Sequence, residues 1–288
     1  MADLRQLRYF VTLAETLHFG RAAERLHLSQ PPLSRQIAAL EKSLGVQLLE
    51  RDNRHTRLTH AGQRFLEDAR AILTAFDQAC ENARRTQAGE IGELRVGFMM
   101  HAAFTVVPAL ARKFMATYPE IKLHLRETLP SALPDAILAG EFDAGILFFP
   151  GRIKGLEHRV IHRESLCFAV PECHPLADRA GVRVKDLRNE GLIAASEDAS
   201  SSLREAITGW FRAGGAVPVI RLEAQLQQTL VSLVAEEVGV ALVPESMKKL
   251  AVANVSFVPL VNAPKIETVI AWQPGNLNPS LKWLLGTA

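Results

Sequence analysis

The sequence is poor in cysteine and contains no long apolar run. Its three cysteines, Cys80, Cys167 and Cys173, form an odd set without the spacing of zinc ligands, which fits free structural thiols in a reducing compartment. No segment stays apolar over the roughly 20 residues that a membrane-spanning helix needs. The first residues, Met-Ala-Asp-Leu-Arg, lack the apolar region of a secretory signal. We therefore expect a cytoplasmic protein without a membrane partner.

The sequence also lacks the short motifs that mark common enzymes. It contains no Gly-x-Gly-x-x-Gly, Walker loop, nucleophile elbow or His-Glu-x-x-His segment. Residues 246–249 match the Ser-x-x-Lys signature of penicillin-binding proteins, but the companion motifs are missing. His162-x-Glu164 matches half of a zinc deaminase motif, and the Pro-Cys-x-x-Cys half is absent. We expect no catalytic activity, no cofactor and no metal site.

Positive charge is concentrated locally rather than spread over the chain. The 288 residues carry a formal net charge of only +2, and 48% of them are hydrophobic, so a packed core is easy to build. The length allows one small domain and one or two larger ones. A basic head joined to a nearly neutral remainder is the charge distribution expected of a DNA-binding domain attached to a sensor.

Residues 19–62 have the pattern of two short helices, a tight turn and a basic hairpin. Ala22 and Ala23 are small residues that let a second helix cross closely. Ser29 is the predicted N-cap of that second helix, because its hydroxyl can accept a free backbone N–H. Two prolines fit in the first turn, where a missing N–H does no harm. Helical spacing then predicts a buried stripe formed by Leu33, Ile37, Leu40 and Leu44.

The second helix has the features of a DNA recognition helix. Its first residues lie at the end that usually reaches base edges, and we predict DNA contacts from Gln30, Pro31, Pro32, Ser34 and Arg35. Arg35 can make a bidentate contact to guanine, and Gln30 can make one to adenine. The alternative is an ordinary helical hairpin with solvated charges. The turn, the prolines and the basic hairpin that follows together favour DNA binding.

A basic hairpin follows the second helix. Residues 48–51 and 56–58 are its predicted strands, and an Asp-Asn pair between them supplies good turn chemistry. Such a wing grips the DNA backbone or the minor groove beside a recognition helix. We therefore predict further DNA contacts from Arg51, Asn53 and Arg54. The alternative is a solvated basic loop.

A long amphipathic helix is predicted after the hairpin. Thr59 is its predicted N-cap, and the helix extends to about Arg85, before a hinge at residues 87–92 that contains two glycines. Because its apolar stripe needs a cover, we expect the helix to pair with its copy in a second subunit, as in a coiled coil. The alternative is packing on its own sensor domain. The stripe consists of Phe65, Ala69, Ile72, Phe76, Ala79 and Ala83.

Strands and helices alternate from residue 93 onward. Apolar strand patterns at residues 94–98, 122–127 and 144–149 are separated by helical patterns at 105–118 and 131–139, and the alternation continues to the end of the sequence. This order predicts mainly parallel sheets. Ligands bind such sheets at the C-terminal ends of the strands.

Together these features resemble the LysR-type transcriptional regulators, and the resemblance covers essentially the whole chain. The N-terminal motif carries it most specifically, through Ser-Gln-Pro-Pro-Leu-Ser-Arg-Gln-Ile at 29–37, Leu-Leu-Glu-Arg at 48–51 and Leu-Thr-His-Ala-Gly at 58–62. Later matches are Gly-Glu-Phe-Asp-Ala-Gly at 140–145, His-Pro-Leu-Ala at 174–177 and Val-Gly-Val-Ala-Leu-Val-Pro at 238–244. Within the family, the chain resembles regulators of aromatic-compound breakdown and of acetoin synthesis.

The resemblance implies an α+β/α-β chain in two parts. It implies a winged helix-turn-helix DNA-binding domain at 1–59, a linker and dimerisation helix with its hinge at 60–92, and an effector-binding domain at 93–288. That last domain is expected to be a two-lobed α/β fold similar to periplasmic binding proteins. Lobe I would comprise about 93–162 and 267–288, and lobe II about 163–266. The implied partners are double-stranded promoter DNA, RNA polymerase, a small-molecule effector and further copies of the chain, as a homodimer assembling to a homotetramer.

The resemblance also implies an effector pocket between the lobes. Relatives that bind small carboxylates have a serine or threonine pair after the first sensor strand, where this chain has Met100 and His101. His101 can donate a hydrogen bond or, when protonated, pair with a carboxylate, whereas Met100 suggests an apolar lining. We predict a small, partly apolar organic acid. The predicted contacts are Met100, His101, Thr128, Ser131, Phe148, Ser200, Ser201, Ser202 and Leu203, each with an ordinary loop, cap or core role as its alternative.

We therefore interpret the chain as a ligand-responsive transcriptional regulator that is not an enzyme. One alternative is a small-molecule binding module whose DNA-binding head is vestigial, which selective and salt-dependent DNA binding would exclude. Another is a catalytic sensor domain, which would turn over its bound ligand. Redox sensing by a cysteine, as in some relatives, is a further alternative, although no neighbouring residue in the sequence marks a lowered thiol pKa.

Overall fold

The computed structural model describes residues 2–51, 56–196 and 201–288, without the side chains of Arg51 and Ser201. The chain divides into two compact units, Met1–Arg85 and Thr86–Ala288. The first unit contains a winged helix-turn-helix and most of a long helix, and the second is a two-lobed α/β domain. The fold class predicted from the sequence is confirmed.

Three helices form the body of the first unit: α1 (Leu4–Thr16), α2 (Phe19–Arg25) and α3 (Gln30–Leu44). α1 begins at a capping box, in which the Asp3 side chain accepts the backbone N–H of Gln6 at 2.8 Å. His18 caps α2, because its Nδ1 accepts the backbone N–H groups of Gly20 and Arg21. Both helix starts are therefore fixed by local side chains.

Ser29 precedes α3 as predicted, but its hydroxyl makes no capping hydrogen bond within the described part of the chain. An N-cap hydroxyl normally accepts the N–H of the second or third helical residue. In α3 those residues are Pro31 and Pro32, which have no N–H. The predicted capping interaction is therefore wrong, and the prolines are the physical reason.

The apolar face of α3 packs into the core of the first unit. Leu33, Ile37 and Leu40 are fully buried in the core that α1 and α2 share. Leu44 was predicted to belong to the same face, but 38% of its surface is exposed. The helix ends at this point, because Gly45 adopts a left-handed backbone with φ of 68°. The buried stripe stops one turn before the end of the helix.

A two-stranded antiparallel hairpin, β1 (Leu49–Arg51) and β2 (Thr56–Leu58), forms the wing. The Glu41 carboxylate on α3 accepts the backbone N–H groups of Leu48 and Leu49 at 2.9 and 3.0 Å. This pair of hydrogen bonds ties the start of the wing to the helix. The predicted turn between the strands lies outside the described residues.

α4 (His60–Gln87) is the long helix predicted after the hairpin. Thr59 caps it as predicted, because its Oγ1 accepts the backbone N–H of Gly62 at 2.8 Å. The first turns pack on the helical core, where the ring centroid of Phe65 lies 5.3 Å from that of Phe10. This part of α4 belongs to the core of the first unit.

The apolar stripe of α4 continues beyond the part that packs on this core. Ile72 and Phe76 are 46% and 41% exposed in the single chain. Nearby, Arg70 of α4 forms an exposed ion pair at 3.0 Å with Glu15 of α1. Ile72 and Phe76 therefore remain exposed beyond the part of α4 that packs on the core.

Lobe I of the second unit is built on three parallel strands, β3 (Gly92–Phe98), β4 (Ile121–Glu127) and β5 (Ala144–Phe148). β3 lies between the other two and pairs with both. A short 3₁₀ helix follows β3, and α5 and α6 make the connections to the next strands. Their bounds are Met100–Phe104 for the 3₁₀ helix, Val107–Thr117 for α5 and Leu133–Leu138 for α6.

β6 (Glu157–Pro171) is a long strand whose two halves have different surroundings. The first half is exposed or half-buried and rich in charged residues, whereas the second half is buried on both faces. The sequence pattern predicts a strand only at residues 166–170, because apolar residues are dense only in the buried half. The polar first half therefore escaped prediction.

Lobe II repeats the parallel arrangement. β7 pairs in parallel with β8 and with β9, while β10 pairs antiparallel with the end of β6. The sequence does not predict β10, because only two of its five residues are buried and buried residues do not alternate with exposed ones along it. The elements are β7 (Gly191–Ala195), α7 (Ser201–Ala213), β8 (Val219–Ala224), α8 (Gln227–Ala235), β9 (Val240–Pro244), a 3₁₀ helix (Glu245–Leu250) and β10 (Val255–Pro259).

β11 (Lys265–Trp272) and α9 (Leu281–Thr287) complete the chain. β11 pairs antiparallel with β5 and with the first half of β6, and the second half of β6 pairs antiparallel with β9. The sheets are therefore mixed, and the prediction of mainly parallel sheets is wrong. The chain crosses between the lobes on β6 and β11, which run against their neighbours and need no crossover helix.

β6 passes from lobe I to lobe II between two consecutive residues. Ser165 pairs with Lys265 of β11, and the next residue, Leu166, pairs with Pro244 of β9. The pairing of β6 with β11 shifts register three residues earlier on β6, because Thr268 pairs with His162 and Val269 pairs with Val160, which leaves Ile161 of β6 as an extra residue. A β-bulge of this kind increases the local twist of a strand.

Candidate functional site

The exposed face of α3 contains the residues predicted to contact DNA. Gln30, Pro31 and Arg35 are exposed, while Pro32 and Ser34 are half-buried. They occupy the first two turns of α3, beside the buried stripe. Two exposed alanines follow on the same helix and add little bulk. The helix start therefore presents side chains that can read base edges, on a backbone held by the core.

The wing adds positive charge beside this helix. Arg57 on β2 is exposed. Arg51 ends β1, but its side chain lies outside the described part of the chain, as do Asn53 and Arg54 entirely. These three predicted contacts therefore stay predictions.

A cavity of about 470 Å³ opens between the two lobes of the second unit. Lobe I contributes the segments that follow β3 and β4, together with the end of β5, and lobe II contributes the turn between β8 and α8. The cavity therefore lies at the C-terminal ends of parallel strands, where such sheets bind ligands. The lining consists of Met99, Met100, His101, Glu127, Thr128, Leu129, Pro130, Phe148, Gln225, Leu226 and Gln227.

The predicted effector contacts divide into two groups. Met100, His101, Thr128 and Phe148 all line the cavity. Ser131 is exposed, Ser202 is half-buried and Leu203 belongs to the buried core, and none of these three lines the cavity in the described part of the chain. Ser200 and the side chain of Ser201 lie outside the described residues.

Sequence reasoning missed the contribution of lobe II to the lining. Gln225, Leu226 and Gln227 form the turn from β8 into α8. The rule that places ligands at the C-terminal ends of parallel strands applies to β8 as well as to β3. The rule therefore points to the turn after β8, where Gln225 follows Ala224, although it does not mark Gln227 individually.

His101 joins lobe I to the crossover strand and to lobe II. Its Nε2 lies 2.8 Å from Oε1 of Glu164 on β6, and its Nδ1 lies 3.4 Å from Oγ of Ser246. The backbone N–H of Ser246 donates to Oε2 of Glu164 at 2.8 Å. The His101 and Glu164 side chains are 2% and 7% exposed, so the pair is buried. The three residues form a closed polar triangle beside the cavity.

The Glu164 carboxylate is ionised in this setting. Burial by itself raises the pKa of Glu164, but the hydrogen bond and the charge of His101, together with the hydrogen bonds from Ser246, outweigh it and hold the pKa below its usual value of 4.5. His162 lies further away, at 3.5 Å from the same carboxylate. His101, predicted to meet an effector carboxylate, instead meets a carboxylate of its own chain.

The remainder of the cavity wall is largely apolar. The ring of Phe148 packs at 4.8 Å from the ring of His101. Met100, Leu129 and Pro130 add apolar surface on the lobe I side. Among the described lining residues there is no lysine or arginine, and Glu127 is an exposed acid at the rim. The cavity therefore favours small molecules with apolar parts and disfavours ligands with several negative charges.

A second cavity, of about 640 Å³, lies on the other side of Glu164 and is rich in lysine and arginine. Much of this positive charge is already paired. Arg163 lies 2.7 Å from Glu267, and Lys248 lies 2.8 Å from Glu245.

The three cysteines are free thiols of different burial. Cys167 on β6 is buried, and burial raises its pKa to about 12, so its thiol is protonated at neutral pH. Cys173 is exposed and Cys80 is half-buried. Across residues 2–51, 56–196 and 201–288, no cluster of histidine, cysteine and acidic side chains is suited to a metal ion, and no helix has the length and apolarity to span a bilayer.

Comparison with known proteins assigns both units to one family. The model of the bacterial regulatory helix-turn-helix protein of the LysR family matches residues 4–63, and the model of the LysR substrate binding domain matches residues 87–288. These two matches cover the recognition helix with its wing and the whole two-lobed domain. The family resemblance inferred from the sequence is confirmed.

Individual relatives agree over almost the full length. The chain is 38% identical over 289 residues to the transcriptional regulator AlsR of Bacillus subtilis strain 168, covering 97% of this chain and 93% of the relative. It is 34% identical over 282 residues to HcaR, the Hca operon transcriptional activator of Escherichia coli strain K12, covering 97% and 95%.

A solved structure supplies the link to DNA. Full-length CbnR in complex with its target DNA matches this fold with a TM-score of 0.84 and 30% identity, covering 99% of this chain and 98% of that one. With both domain models matched and relatives similar over their whole length, this chain belongs to the LysR family of DNA-binding transcriptional regulators, with an N-terminal helix-turn-helix and a C-terminal effector-binding domain.

Proposed function

We propose that this regulator binds a promoter site of dyad symmetry through α3 and the wing, and that a small organic acid in the interlobe cleft controls it. The observation that supports the proposal best is that one chain combines an exposed helix start bearing Gln30 and Arg35 with a partly apolar cavity between two lobes. Regulation requires only the binding of the effector and involves no catalytic step. We place this activity in the cytoplasm, where promoter DNA is accessible.

The first residues of α3 read the DNA sequence. Arg35 makes the bidentate contact to a guanine and Gln30 contacts an adenine, since both side chains are exposed at the helix start. Pro31, Pro32 and Ser34 pack beside the sugar-phosphate backbone and set the position of the helix. The wing holds the neighbouring backbone or minor groove through Arg51, Asn53 and Arg54.

The chain acts as a homodimer that assembles into a homotetramer. The exposed Ile72 and Phe76 on α4 support pairing of this helix with its copy, because the pair would bury both. Two-fold symmetry then predicts half-sites about one helical turn, or a multiple of it, apart on the DNA. In this division residues 1–59 bind DNA, 60–92 link and dimerise, and 93–288 bind the effector.

The effector is a small, partly apolar organic acid. A cavity of about 470 Å³ admits such a molecule, and Met100 and Phe148 offer apolar surface to its body. Thr128 can hydrogen-bond its polar end, and His101, whose ring nitrogens lie beside Glu164 and Ser246, contacts the ligand through the ring. Ser131, Ser200, Ser201, Ser202 and Leu203 stay predicted contacts.

Effector binding alters transcription through a change in the angle between the lobes. A ligand that touches both sides of the cleft favours the lobe arrangement in which both contacts are made. The movement passes through β6 and the His101–Glu164–Ser246 triangle, then to the DNA-binding heads and the bend of the promoter. The bend changes the access of RNA polymerase.

The test of DNA recognition is a fluorescence-anisotropy titration with the intergenic DNA upstream of the gene and a scrambled duplex of equal length. Selective binding that weakens steeply with salt supports the proposal. A scan of promoter fragments follows, with and without a panel of small organic acids. Non-selective binding to every fragment under both conditions would contradict it, and failure to bind any fragment would favour a small-molecule binding module with a vestigial DNA-binding head.

The Arg35→Ala variant tests the assignment of the recognition helix. We expect a loss of about 1–3 kcal/mol at the operator and relaxed discrimination at one base position. Arg212→Ala is the matched control, because Arg212 is an exposed arginine at the end of α7 in the other unit. If Arg35→Ala keeps both affinity and base preference, Arg35 does not read the DNA.

A further inference from the structure

The second cavity of the effector domain carries positive charge that its own acidic residues do not balance. It has a volume of about 640 Å³ and lies between the crossover strands β6 and β11 and the 3₁₀ helix at Glu245–Leu250. Arg163 and Lys248, two of its lining cations, have acidic partners at 2.7 and 2.8 Å. Lys249 and Lys265 also line the cavity, and neither forms an ion pair with a described residue.

The acidic side chains of the lining are already engaged. Both carboxylate oxygens of Glu164 have partners, because Oε1 lies 2.8 Å from Nε2 of His101 and Oε2 accepts the backbone N–H of Ser246 at 2.8 Å. The Glu164 side chain is also only 7% exposed, so little of its surface faces the cavity. Glu245 is the partner of Lys248. The two cations without an acidic partner therefore dominate the charge of the space.

These two lysines retain hydrogen-bond donors for a ligand. Nζ of Lys249 donates to the backbone carbonyl of Phe104 at 2.9 Å, and an ammonium group has three N–H donors, so two remain. Lys265 pairs with Ser165 across the two crossover strands. Residues that are directly opposite in an antiparallel pair project to the same face, so the Ser165 hydroxyl stands beside the Lys265 ammonium group.

The two cavities of the domain differ in the charge that they can accept. The described lining of the interlobe cavity contains no lysine or arginine and has Glu127 at its rim. The second cavity offers two unbalanced ammonium groups from different elements, on β11 and on the 3₁₀ helix. An anion with two negative charges can neutralise both groups at once, whereas an anion with one charge leaves a cation unmatched.

We infer that the second cavity is a separate binding site for a compact dianion, which a phosphate monoester or a dicarboxylate can supply. Lys249 and Lys265 neutralise its two charges, and the Ser165 hydroxyl donates a further hydrogen bond. The buried pair of His101 and Glu164 stands between this site and the interlobe cavity, because His101 lines one cavity and Glu164 lines the other. The two sites therefore take ligands of different charge.

The test uses two sources of the dianion and one matched counterpart for each. Glycerol phosphate is compared with glycerol, and succinate is compared with propanoate, by calorimetric titration of the full chain at neutral pH and low salt. We expect at least one dianion to bind with a Kd of about 1 mM or below, and about tenfold or more tightly than its counterpart. The dianion that binds identifies the source. Added sodium chloride should weaken the binding, because the lysines are exposed.

Three lysine positions assign the binding to the second cavity. Lys265→Ala and Lys249→Gln should each weaken binding of the dianion about tenfold, and glutamine keeps an N–H donor for the Phe104 carbonyl. Lys265→Arg keeps the charge and should bind within about threefold of the wild type. Lys185→Ala is the matched control, because Lys185 is an exposed lysine of lobe II that does not line this cavity. The thermal midpoint of each ligand-free variant checks that the fold is kept.

Several outcomes would overturn the inference. They are no binding of either dianion at about 10 mM, equal binding of each dianion and its counterpart, and an equal loss in Lys185→Ala and Lys265→Ala. Binding that Lys265→Ala or Lys249→Gln leaves unchanged also overturns it, and a loss in Thr128→Val would then place the dianion in the interlobe cavity. None of these titrations contains DNA, so the proposed function stands or falls separately.

Discussion

The Glu164 side chain shows how a single residue can connect two lobes. Its carboxylate lies on the crossover strand β6, and it contacts His101 from lobe I and Ser246 from lobe II. Both partners act on the same ionised group, so the loss of its charge weakens both contacts at once. Stability of the effector domain should therefore depend on the ionisation of this residue.

The Glu164→Gln variant should unfold more easily at neutral pH. We expect its free energy of unfolding to fall by about 1–3 kcal/mol, because buried hydrogen bonds to a charged group are lost or weakened. The pKa of Glu164 is held below 4.5 in the folded chain, so its contribution is fully present above pH 4.5 and is lost as the pH falls through the folded value. Urea unfolding at neutral pH and below pH 4 measures both effects.

Glu141→Gln is the control for this measurement. Glu141 pairs with Arg126 at 2.8 Å, but both side chains are more than half exposed. Exposed ion pairs contribute about 1 kcal/mol or less. A loss at Glu141→Gln equal to that at Glu164→Gln, with no difference in pH dependence, would contradict a special role for the buried carboxylate.

At the scale of elements, the two predicted N-caps of the first unit behave differently. Thr59 accepts the N–H of Gly62 at the start of α4, whereas Ser29 precedes two prolines and makes no such bond within the described residues. The sequence pattern was the same in both cases: a serine or threonine precedes a segment whose apolar residues recur at helical spacing. The difference lies in the N–H groups that the next residues can offer.

Alanine substitution should separate these two caps. Thr59→Ala should cost about 1 kcal/mol of stability, the usual value for removing a capping hydroxyl. Ser29→Ala should change stability by less than about 0.5 kcal/mol, as for a surface position without such a bond. Chemical denaturation of both variants makes the comparison, and equal losses would show that Ser29 does cap its helix.

Elements were predicted from the sequence where their apolar periodicity is strong. α3 and α4 were placed correctly because a regular stripe of leucine, isoleucine and phenylalanine marks each of them. β10 and the first half of β6 escaped because partial exposure removes the apolar pattern. The antiparallel pairing of β6 and β11 also escaped, since strand direction depends on contacts between distant segments and not on local pattern.

At the scale of the whole molecule, the family could be predicted from a few specific motifs, whereas the cleft could be predicted only in part. The predicted contacts Met100, His101 and Thr128 line the cavity, because they follow the first strands of an alternating pattern, and their role in effector binding stays a prediction. Gln227 was missed, because a glutamine at a helix start looks like an ordinary surface residue until burial is known. Ser202 does not line the cavity in the described part of the chain, and Ser200 and the side chain of Ser201 lie outside the described residues.

Assembly of the whole molecule should depend on the exposed apolar face of α4. Phe76→Glu places a charge where two copies of the helix would meet, and we expect it to shift the protein towards monomers. Sedimentation velocity over a range of concentrations measures the change. Gln63→Glu is the control, since Gln63 is an exposed residue near the start of the same helix. Dissociation by both variants, or by neither, would contradict pairing through Ile72 and Phe76.

The continuous strand β6 also limits the kind of signal that the effector can send. Because Ser165 and Leu166 are bonded neighbours that pair with strands of different lobes, no slack loop separates the lobes at this point. Among the described strands, the first half of β6 pairs only with β11, and the extra residue Ile161 lies within this half, where a bulge increases the local twist of the strand. We therefore expect the effector to change the twist between the lobes about β6 rather than to open the cleft widely.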